Sequence, residues 1–152
     1  MVLARCIAVL SRPSLNSRLR LTTSRGHRVE PRVIGEWGEH LAAKWLARHG
    51  RKILYRNYRG PKGGEVDIVC RHGEVLTFVE VKTRTSLDYG RPADAVGSVK
   101  ERLILRGARG WLRLLDRPEC INTRCDIVEV IVSEGEKPQI SVIEGAFILA
   151  DD

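Results

Sequence analysis

The chain has 152 residues, which is enough for one well-packed domain and too few for two. Hydrophobic residues make up 43% of the sequence and charged residues 30%, as in ordinary globular proteins, and no apolar run approaches the ~20 residues that span a bilayer. The composition therefore argues against a membrane protein. The formal net charge of +7 suggests an anionic partner at first sight.

The positive charge is concentrated in the N-terminal segment. Residues 1–28 contain six arginines and no acidic residue, whereas the remainder has 20 basic and 19 acidic residues and a net charge of +1. The net charge is thus poor evidence for an anionic partner of the domain. The segment has the composition of an organellar transit peptide, with a disordered basic tail or an over-extended start site as alternatives. We expect residues 1–31 to be a disordered tail and residues 32–149 to form the domain.

The apolar pattern predicts an α/β domain with elements in the order α-β-β-β-α-β-β. One helix is predicted from Gly35 to His49, and a second from Ala93 to about Leu115. The strands are predicted at 52–58, 65–70, 74–84, 125–132 and 139–147. This order indicates a mixed central sheet flanked by helices. The second helix should bury the stripe Val96, Val99, Leu103, Ala108, Trp111, Leu112 and Leu115.

Polar residues interrupt the second and third strands at positions of one parity. Because side chains alternate along a strand, Glu80 and Lys82 share one face of the third strand. One hairpin register places Asp67 opposite Phe78, and a register shifted by two residues places it opposite Glu80. Both registers gather the two acids and the lysine on one face. The other face then carries Val66, Ile68, Val79 and Val81.

Two interpretations of this polar face remain open. Facing carboxylates repel each other, and a hard divalent cation relieves the repulsion. Mg²⁺ favours one or two carboxylates together with water and substrate phosphate oxygens, and a nearby ammonium can orient the water or neutralise phosphate charge. The alternative is a solvated hairpin face with Glu–Lys pairs.

The segment between Glu39 and Glu65 also has two interpretations. It contains seven basic residues and no acid, so it could follow a phosphate backbone. Alternatively, it is a solvated helix face and loop. Two further acids are candidates for lesser roles. Glu65 shares the face of Asp67 and is either an acid that supports the metal ligands or the cross-strand partner of a basic residue, and Asp126 is a candidate anchor for a neighbouring loop.

Several motifs together resemble a known family. Asp67, twelve intervening residues and the triplet Glu80-Val81-Lys82 resemble the bipartite motif of the PD-(D/E)XK nucleases. The segments IGEWGEHLAAKWLARHGRKILYRNYR, GGEVDIV and FVEVKTR, with a later Lys-bearing helix ending in ARGWL, look like those of the YraN-like family of small bacterial proteins. The resemblance runs from about Ile34 to Phe147 and implies a restriction-endonuclease-like fold, similar to archaeal Holliday junction resolvases.

The resemblance implies roles for individual positions. Asp67 and Glu80 would bind Mg²⁺, with Mn²⁺ as a substitute, and Glu39 would complete or support the metal site. Lys82 would act in catalysis together with these two metal ligands. The expected partner is nucleic acid, specifically DNA, with branched or flapped structures as candidate substrates. Phosphate contacts are expected from Lys44, Arg48, Arg56, Arg59, Lys62, Arg84 and Lys100.

Three functional hypotheses follow. The first is a Mg²⁺-dependent endonuclease, the second a nucleic-acid-binding module of nuclease fold without catalysis, and the third a structural or interaction domain. Symmetric cleavage of junctions would require a homodimer, and no membrane partner is expected. The resemblance to bacterial proteins predicts a cytoplasmic location, or an organellar one if the N-terminal segment is a transit peptide.

Overall fold

A computed structural model of the protein describes residues 12–85 and 97–149. The elements are α1 (Pro31–Arg48), β1 (Arg51–Arg59), β2 (Glu65–His72), β3 (Val75–Arg84), α2 (Ser98–Leu112), β4 (Asn122–Ile131) and β5 (Gln139–Phe147). The predicted order α-β-β-β-α-β-β is confirmed. A short 3-10 turn at Pro118–Cys120 was not predicted.

The five strands form one mixed sheet in chain order, β1-β2-β3-β4-β5. β1, β2 and β3 are antiparallel neighbours, β3 and β4 are parallel, and β5 returns antiparallel to β4. The parallel pair needs a crossover connection, which contains α2. The α/β class predicted from the sequence is therefore confirmed. No helix in the described ranges is long and apolar enough to cross a membrane.

The hairpin between β2 and β3 adopts the second of the two predicted registers. His72 pairs with Val75 across a two-residue turn, and the ladder continues to Ile68 opposite Val79. The same register places Asp67 opposite Glu80. The ladder itself ends at Ile68 and Val79, so the two acids come next to each other at the point where the strands part.

The two helices cover opposite faces of the sheet. On the α1 face, Leu41 and Leu46 pack against strand residues that include Ile68 and Val79. On the α2 face, Ala108 packs in a cluster with Val69, Phe78, Cys125, Val66 and Tyr58. Burying both faces of the central strands is the main stabilising contribution to this architecture.

The position of Val66 differs from the sequence prediction, which put it on the face of Ile68. Val66 lies in the α2-side cluster and pairs across the strands with Tyr58. Asn57 has a φ of 54°, which interrupts the alternation of β1 just before Tyr58. The strand pair therefore turns both side chains toward α2.

The buried stripe of α2 also differs from the prediction. Val99 is 65% exposed, and Val96 lies outside the described residues. The fully buried positions include Ile104 and Ala108, which lie one turn apart. Val99 precedes Ile104 by five residues, which rotates it about 140° away from that stripe.

The described part of the N-terminal segment, residues 12–30, packs on the domain, whereas the sequence predicted disorder up to residue 31. Leu19 is 2% exposed and Val29 6% exposed, and both belong to the α1-side core. The backbone of Leu19 donates to the carbonyl of Glu136 and accepts from the N–H of Gly135, each at 2.8 Å. Leu19 and Val29 are thus buried although they belong to no helix or strand with a periodic apolar pattern. Residues 1–11 lie outside the described residues.

Candidate active site

A cleft opens where β2 and β3 separate. Their ladder runs as far as Ile68 and Val79; beyond it β2 continues beside β1, and β3 continues beside β4. Asp67 Oδ2 accepts a hydrogen bond from the backbone N–H of Val81 at 2.8 Å. The cleft has a volume of about 290 Å³ and is lined by Glu39, Asn57, Tyr58, Arg59, Glu65, Val66, Asp67, Glu80, Val81, Lys82 and Lys100. It contains all four residues that the sequence placed at the metal or catalytic centre.

Helix α1 brings Glu39 to the cleft because a glycine precedes it. A Cβ on Gly38 would lie 1.7 Å from Thr83 Oγ1 of β3, so a larger residue would push the helix and strand apart. With Gly38 packed on β3, the next side chain reaches the cleft edge. Asn57 hydrogen-bonds the Glu39 carboxyl there. The sequence did not predict Asn57 as a site residue, although an asparagine inside a strand is a known signal of a positive φ.

Helix α2 brings Lys100 to the cleft through a second close approach. A Cβ on Gly107 would come 2.8 Å from the backbone nitrogen of Glu65 at the start of β2. Lys100 lies seven residues before Gly107, two turns earlier on the same face of the helix. Its ammonium accordingly reaches the cleft and donates to Glu65 Oε1. Across the strands Glu65 pairs with Arg59, whose Nη1 lies 3.8 Å from Oε2, so the predicted cross-strand partner is present. The contact with Lys100 of α2 was not predicted.

Glu80 is the most perturbed acid of the cleft. Its side chain is 2% exposed, and Oε1 lies 3.1 Å from Lys82 Nζ and 3.5 Å from Lys100 Nζ. The buried Oε2 has no hydrogen-bond partner. Burial and the negative charge of Asp67 raise the pKa of Glu80 to about 7, against the opposing effect of the two lysines. Additional positive charge at Oε2 would favour the ionised form.

The pKa values of the neighbouring groups are shifted in different directions. Burial, followed by the charge of Asp67, raises the pKa of Glu39. The hydrogen bond from Lys100 lowers the pKa of Glu65. Burial alone would lower the pKa of Lys100, but its bond to Glu65 and the charge of Glu80 outweigh burial and raise it. The cleft thus contains one acid with a lowered pKa, Glu65, beside two acids with raised pKa values, Glu39 and Glu80, a contrast typical of functional sites.

The carboxylates provide a donor set suited to Mg²⁺. Within residues 12–85 and 97–149, no three His, Cys, Asp or Glu side chains stand close enough together to hold an ion between them. Mg²⁺ does not need such a cage, because one or two carboxylates suffice when water and substrate oxygens complete its octahedron. Asp67 and Glu80 face each other, and Glu80 Oε2 is buried without a partner. These residues fit the ion.

The structure divides the predicted phosphate-binding residues into two groups. Arg59 and Lys100 line the cleft. The other five lie outside its lining. Lys44 and Arg48 are exposed on α1, and Lys62 is exposed in the loop after β1. Arg84 is half-buried at the end of β3, and Arg56 is half-buried near Glu39, where its positive charge acts to lower the pKa of Glu39. The cleft therefore gathers two of the seven.

Asp126 lies outside the cleft. It is fully buried and accepts hydrogen bonds from Arg51 at 2.6 Å, from Arg124 and from the N–H of Gly145. The predicted anchoring role is thus visible, although Gly145 belongs to β5 rather than to a loop. Asp126 of β4 thus bonds to Arg51 of β1 and to Gly145 of β5, so it joins three strands. Removing either partner of the buried Arg51–Asp126 pair would leave an uncompensated buried charge and would destabilise the fold.

The fold and the cleft define an α/β protein whose central hairpin forks around a set of acids and lysines. Residues 38–130 match the profile of the "Uncharacterised protein family UPF0102", and the chain belongs to this family. The YraN-like assignment made from the sequence motifs is thereby confirmed.

Relatives of the same family name are bacterial. A UPF0102 protein of Syntrophotalea carbinolica is 47% identical over 116 residues, which is 75% of this chain and 90% of the relative. Those of Geobacter metallireducens and Chlorobaculum parvum are 49% and 41% identical, over 77% and 80% of this chain and 93% and 97% of their own lengths. The similarity thus extends over almost all of each relative and most of this chain.

Proposed function

We propose that the protein is a Mg²⁺-dependent nuclease that hydrolyses phosphodiester bonds of DNA. The observation that supports this most directly is the convergence of Asp67, Glu80 and Lys82 at the fork of one hairpin. Strands hold these groups rigidly, as catalysis by positioned charges requires. Family membership agrees with this proposal without specifying an activity.

Each group has a chemical role in this proposal. Asp67 and Glu80 hold the ion, and Glu39 completes the set from α1. The bound ion supplies an activated water and stabilises negative charge on the phosphate. Lys82, whose side chain is 24% exposed, extends from Glu80 toward the open cleft, where its ammonium can orient the attacking water or neutralise the phosphate.

The basic rim of the cleft supports nucleic acid as the substrate. Arg59 lines the cleft with a side chain that is 83% exposed, and the exposed Lys62 follows in the next loop. No acidic residue occurs from residue 40 to residue 64. A surface of this kind attracts a phosphate backbone irrespective of sequence, which suits an enzyme that recognises branched or flapped DNA by shape.

A nucleic-acid-binding module without catalysis is the second candidate. It is favoured by the ion pairs that already neutralise the acids: Lys82 and Lys100 both contact Glu80, and Lys100 also contacts Glu65. In this case the same rim would bind phosphates while the cleft serves to hold the hairpin and α2 together.

A cleavage assay separates these functions. Purified full-length protein is incubated with linear, flapped and four-way DNA in Mg²⁺ or Mn²⁺, and is compared with Asp67→Asn, Glu80→Gln and Lys82→Met. We expect each of these substitutions to lower the cleavage rate at least a hundredfold, which corresponds to about 2.7 kcal/mol of transition-state stabilisation.

The matched control is Glu36→Gln, because Glu36 is an exposed acid on α1, one turn before Glu39 and outside the cleft lining. This variant should cut like the wild type. Equal activity in all proteins would place the reaction elsewhere and overturn the proposal. Tight binding without cleavage of any substrate would assign the protein to the binding module.

A further inference from the structure

Four arginines form a stripe on the outer face of α2. Arg102, Arg106, Arg109 and Arg113 follow at intervals of four, three and four residues, which keeps them within about 60° of one another around the helix. Arg113 is the residue that caps the helix C-terminus. The stripe points away from the side that buries Ile104 and Ala108, and three of its members are exposed, with Arg109 half-buried.

The part of the helix that carries the stripe contains no acid in its sequence, although Glu101 and Asp116 flank it. No acidic residue occurs between positions 102 and 115. Like charges at i and i+4 destabilise a helix, and the intervals of this stripe repeatedly place arginines at that distance. An ordinary solvated helix face interleaves acids with bases. The repulsion is relieved when an anionic partner lies along the helix.

The stripe is continuous with the basic rim of the cleft. Arg106 Nη1 lies 3.5 Å from the carbonyl oxygen of Lys62, in the loop that follows Arg59. On the other side of the same helix, Lys100 lines the cleft. Positive charge accordingly extends from the cleft over the loop to the far end of α2.

The length of the stripe matches a nucleic-acid strand. Eleven residues of helix span about 16 Å, and one strand of a duplex carries a charge about every 3.4 Å along its axis. Four arginines thus face about four or five phosphates. Long guanidinium side chains also bind phosphate in bidentate fashion, which lysines do not.

We propose that the outer face of α2 binds the phosphate backbone of a nucleic-acid arm that extends from the cleft. This inference rests on the proposed function for its partner and adds a second surface to it, since the residues predicted from the sequence lie on α1, β1, the following loop, β3 and the inner face of α2. An enzyme with phosphate contacts on α2 as well as on β1 would hold two arms of a branched substrate.

Binding measurements without catalysis test the α2 surface. The full chain is titrated in EDTA against fluorescently labelled single-stranded, duplex and flapped DNA, and anisotropy is followed at several salt concentrations. The test variant is Arg102→Gln/Arg106→Gln/Arg113→Gln, which keeps Arg109 and retains good helix formers. We expect its affinity at 0.15 M salt to fall between about ten- and a hundredfold, and the slope of log K against log salt to decrease by about 0.9 per lost phosphate contact.

The matched control is Arg25→Gln/Arg71→Gln/Lys137→Gln, which removes the same charge at three exposed positions elsewhere. Its affinity should change less than about threefold, with an unchanged slope. If both triple variants lose DNA affinity equally, the effect comes from net charge and not from the α2 stripe, and the inference is overturned. Vesicles containing anionic lipid serve as a competitor, and binding to them rather than to DNA would assign the stripe to a membrane surface instead.

The two proposals fail in different ways. If the wild type cleaves DNA but the α2 triple variant binds and cleaves normally, the stripe is wrong and the nuclease stands. If the wild type binds DNA through the stripe and never cleaves, the inference stands and the nuclease is wrong. If DNA does not bind at all, both proposals are wrong.

Discussion

Asp67 uses its side chain to satisfy the backbone of Val81, with Oδ2 accepting from the N–H at 2.8 Å. In a continued ladder this N–H would face the backbone of β2, so the carboxylate replaces a main-chain acceptor where the strands part. The bond fixes Asp67 across from Glu80 and keeps a second negative charge beside a buried acid. The hydrogen bond from Val81 to Asp67 therefore accounts both for the separation of β2 and β3 and for the charge that raises the pKa of Glu80.

The first prediction concerns this electrostatic coupling. In Asp67→Asn the amide oxygen can still accept from Val81, but the charge that raises the neighbouring pKa values is lost. We expect the pKa of Glu80 to fall from about 7 toward its usual range, and that of Glu39 to fall as well. Carboxyl-carbon NMR titration of metal-free protein measures both. Glu36→Gln, which removes an exposed acid from α1, should leave the pKa of Glu80 unchanged. If the pKa of Glu80 shifts equally in Asp67→Asn and Glu36→Gln, the coupling between Asp67 and Glu80 is contradicted.

The second prediction concerns stability and pH. Because the folded-state pKa of Glu80 is raised, the folded protein binds more protons than the unfolded chain between pH 4.5 and about 7, and the free energy of unfolding decreases as pH rises through this window. In Glu80→Gln the part of this decrease that Glu80 causes should disappear, which makes the variant more stable than the wild type at pH 8 by up to about 3 kcal/mol but not at pH 4. Urea unfolding in EDTA at pH 4, 6 and 8 measures the difference. A difference that does not change with pH would disprove the effect.

The polar face was predictable because strand parity is a local property. Alternation placed Asp67, Glu80 and Lys82 together, and burial of the opposite face excluded a one-residue slip. The pairing of Lys100 with Glu65 was not predictable in the same way. It depends on Gly107 packing against the start of β2, a contact between elements 42 residues apart in the chain.

The N-terminal segment was predicted less well for a related reason. Helices and strands can be recognised in a sequence from their periodic apolar residues, whereas Leu19 and Val29 are buried singly in an irregular segment. Composition dominated by arginine and serine then favours disorder. Their membership of the α1-side core is visible only in the folded structure.

The third prediction concerns the position of α1. In Gly38→Ala the new Cβ would collide with Thr83 Oγ1, so helix and strand must separate and Glu39 must move from the cleft edge. We expect the free energy of unfolding to fall by about 1–3 kcal/mol, together with a loss of any cleavage activity. Gly35→Ala is the control, since nothing lies within 4 Å of its Cβ position in the same helix. It should stabilise the protein by up to about 1 kcal/mol, because alanine favours the helix. Equal effects of the two substitutions would show that helix propensity, and not contact with Thr83, determines the outcome.

The fourth prediction concerns the packed N-terminal segment. Leu19→Ala removes a buried side chain from the α1-side core and should lower the free energy of unfolding of the full chain by about 2–5 kcal/mol. Leu114→Ala is the matched control, because Leu114 is 68% exposed and its truncation should cost less than about 0.5 kcal/mol. Urea unfolding followed by tryptophan fluorescence measures both variants. If Leu19→Ala unfolds at the same urea concentration as Leu114→Ala, residues 12–30 contribute nothing to the core in solution. If it unfolds earlier, the segment is part of the folding unit, and its burial against the Gly135–Glu136 turn extends the domain beyond the predicted start at residue 32.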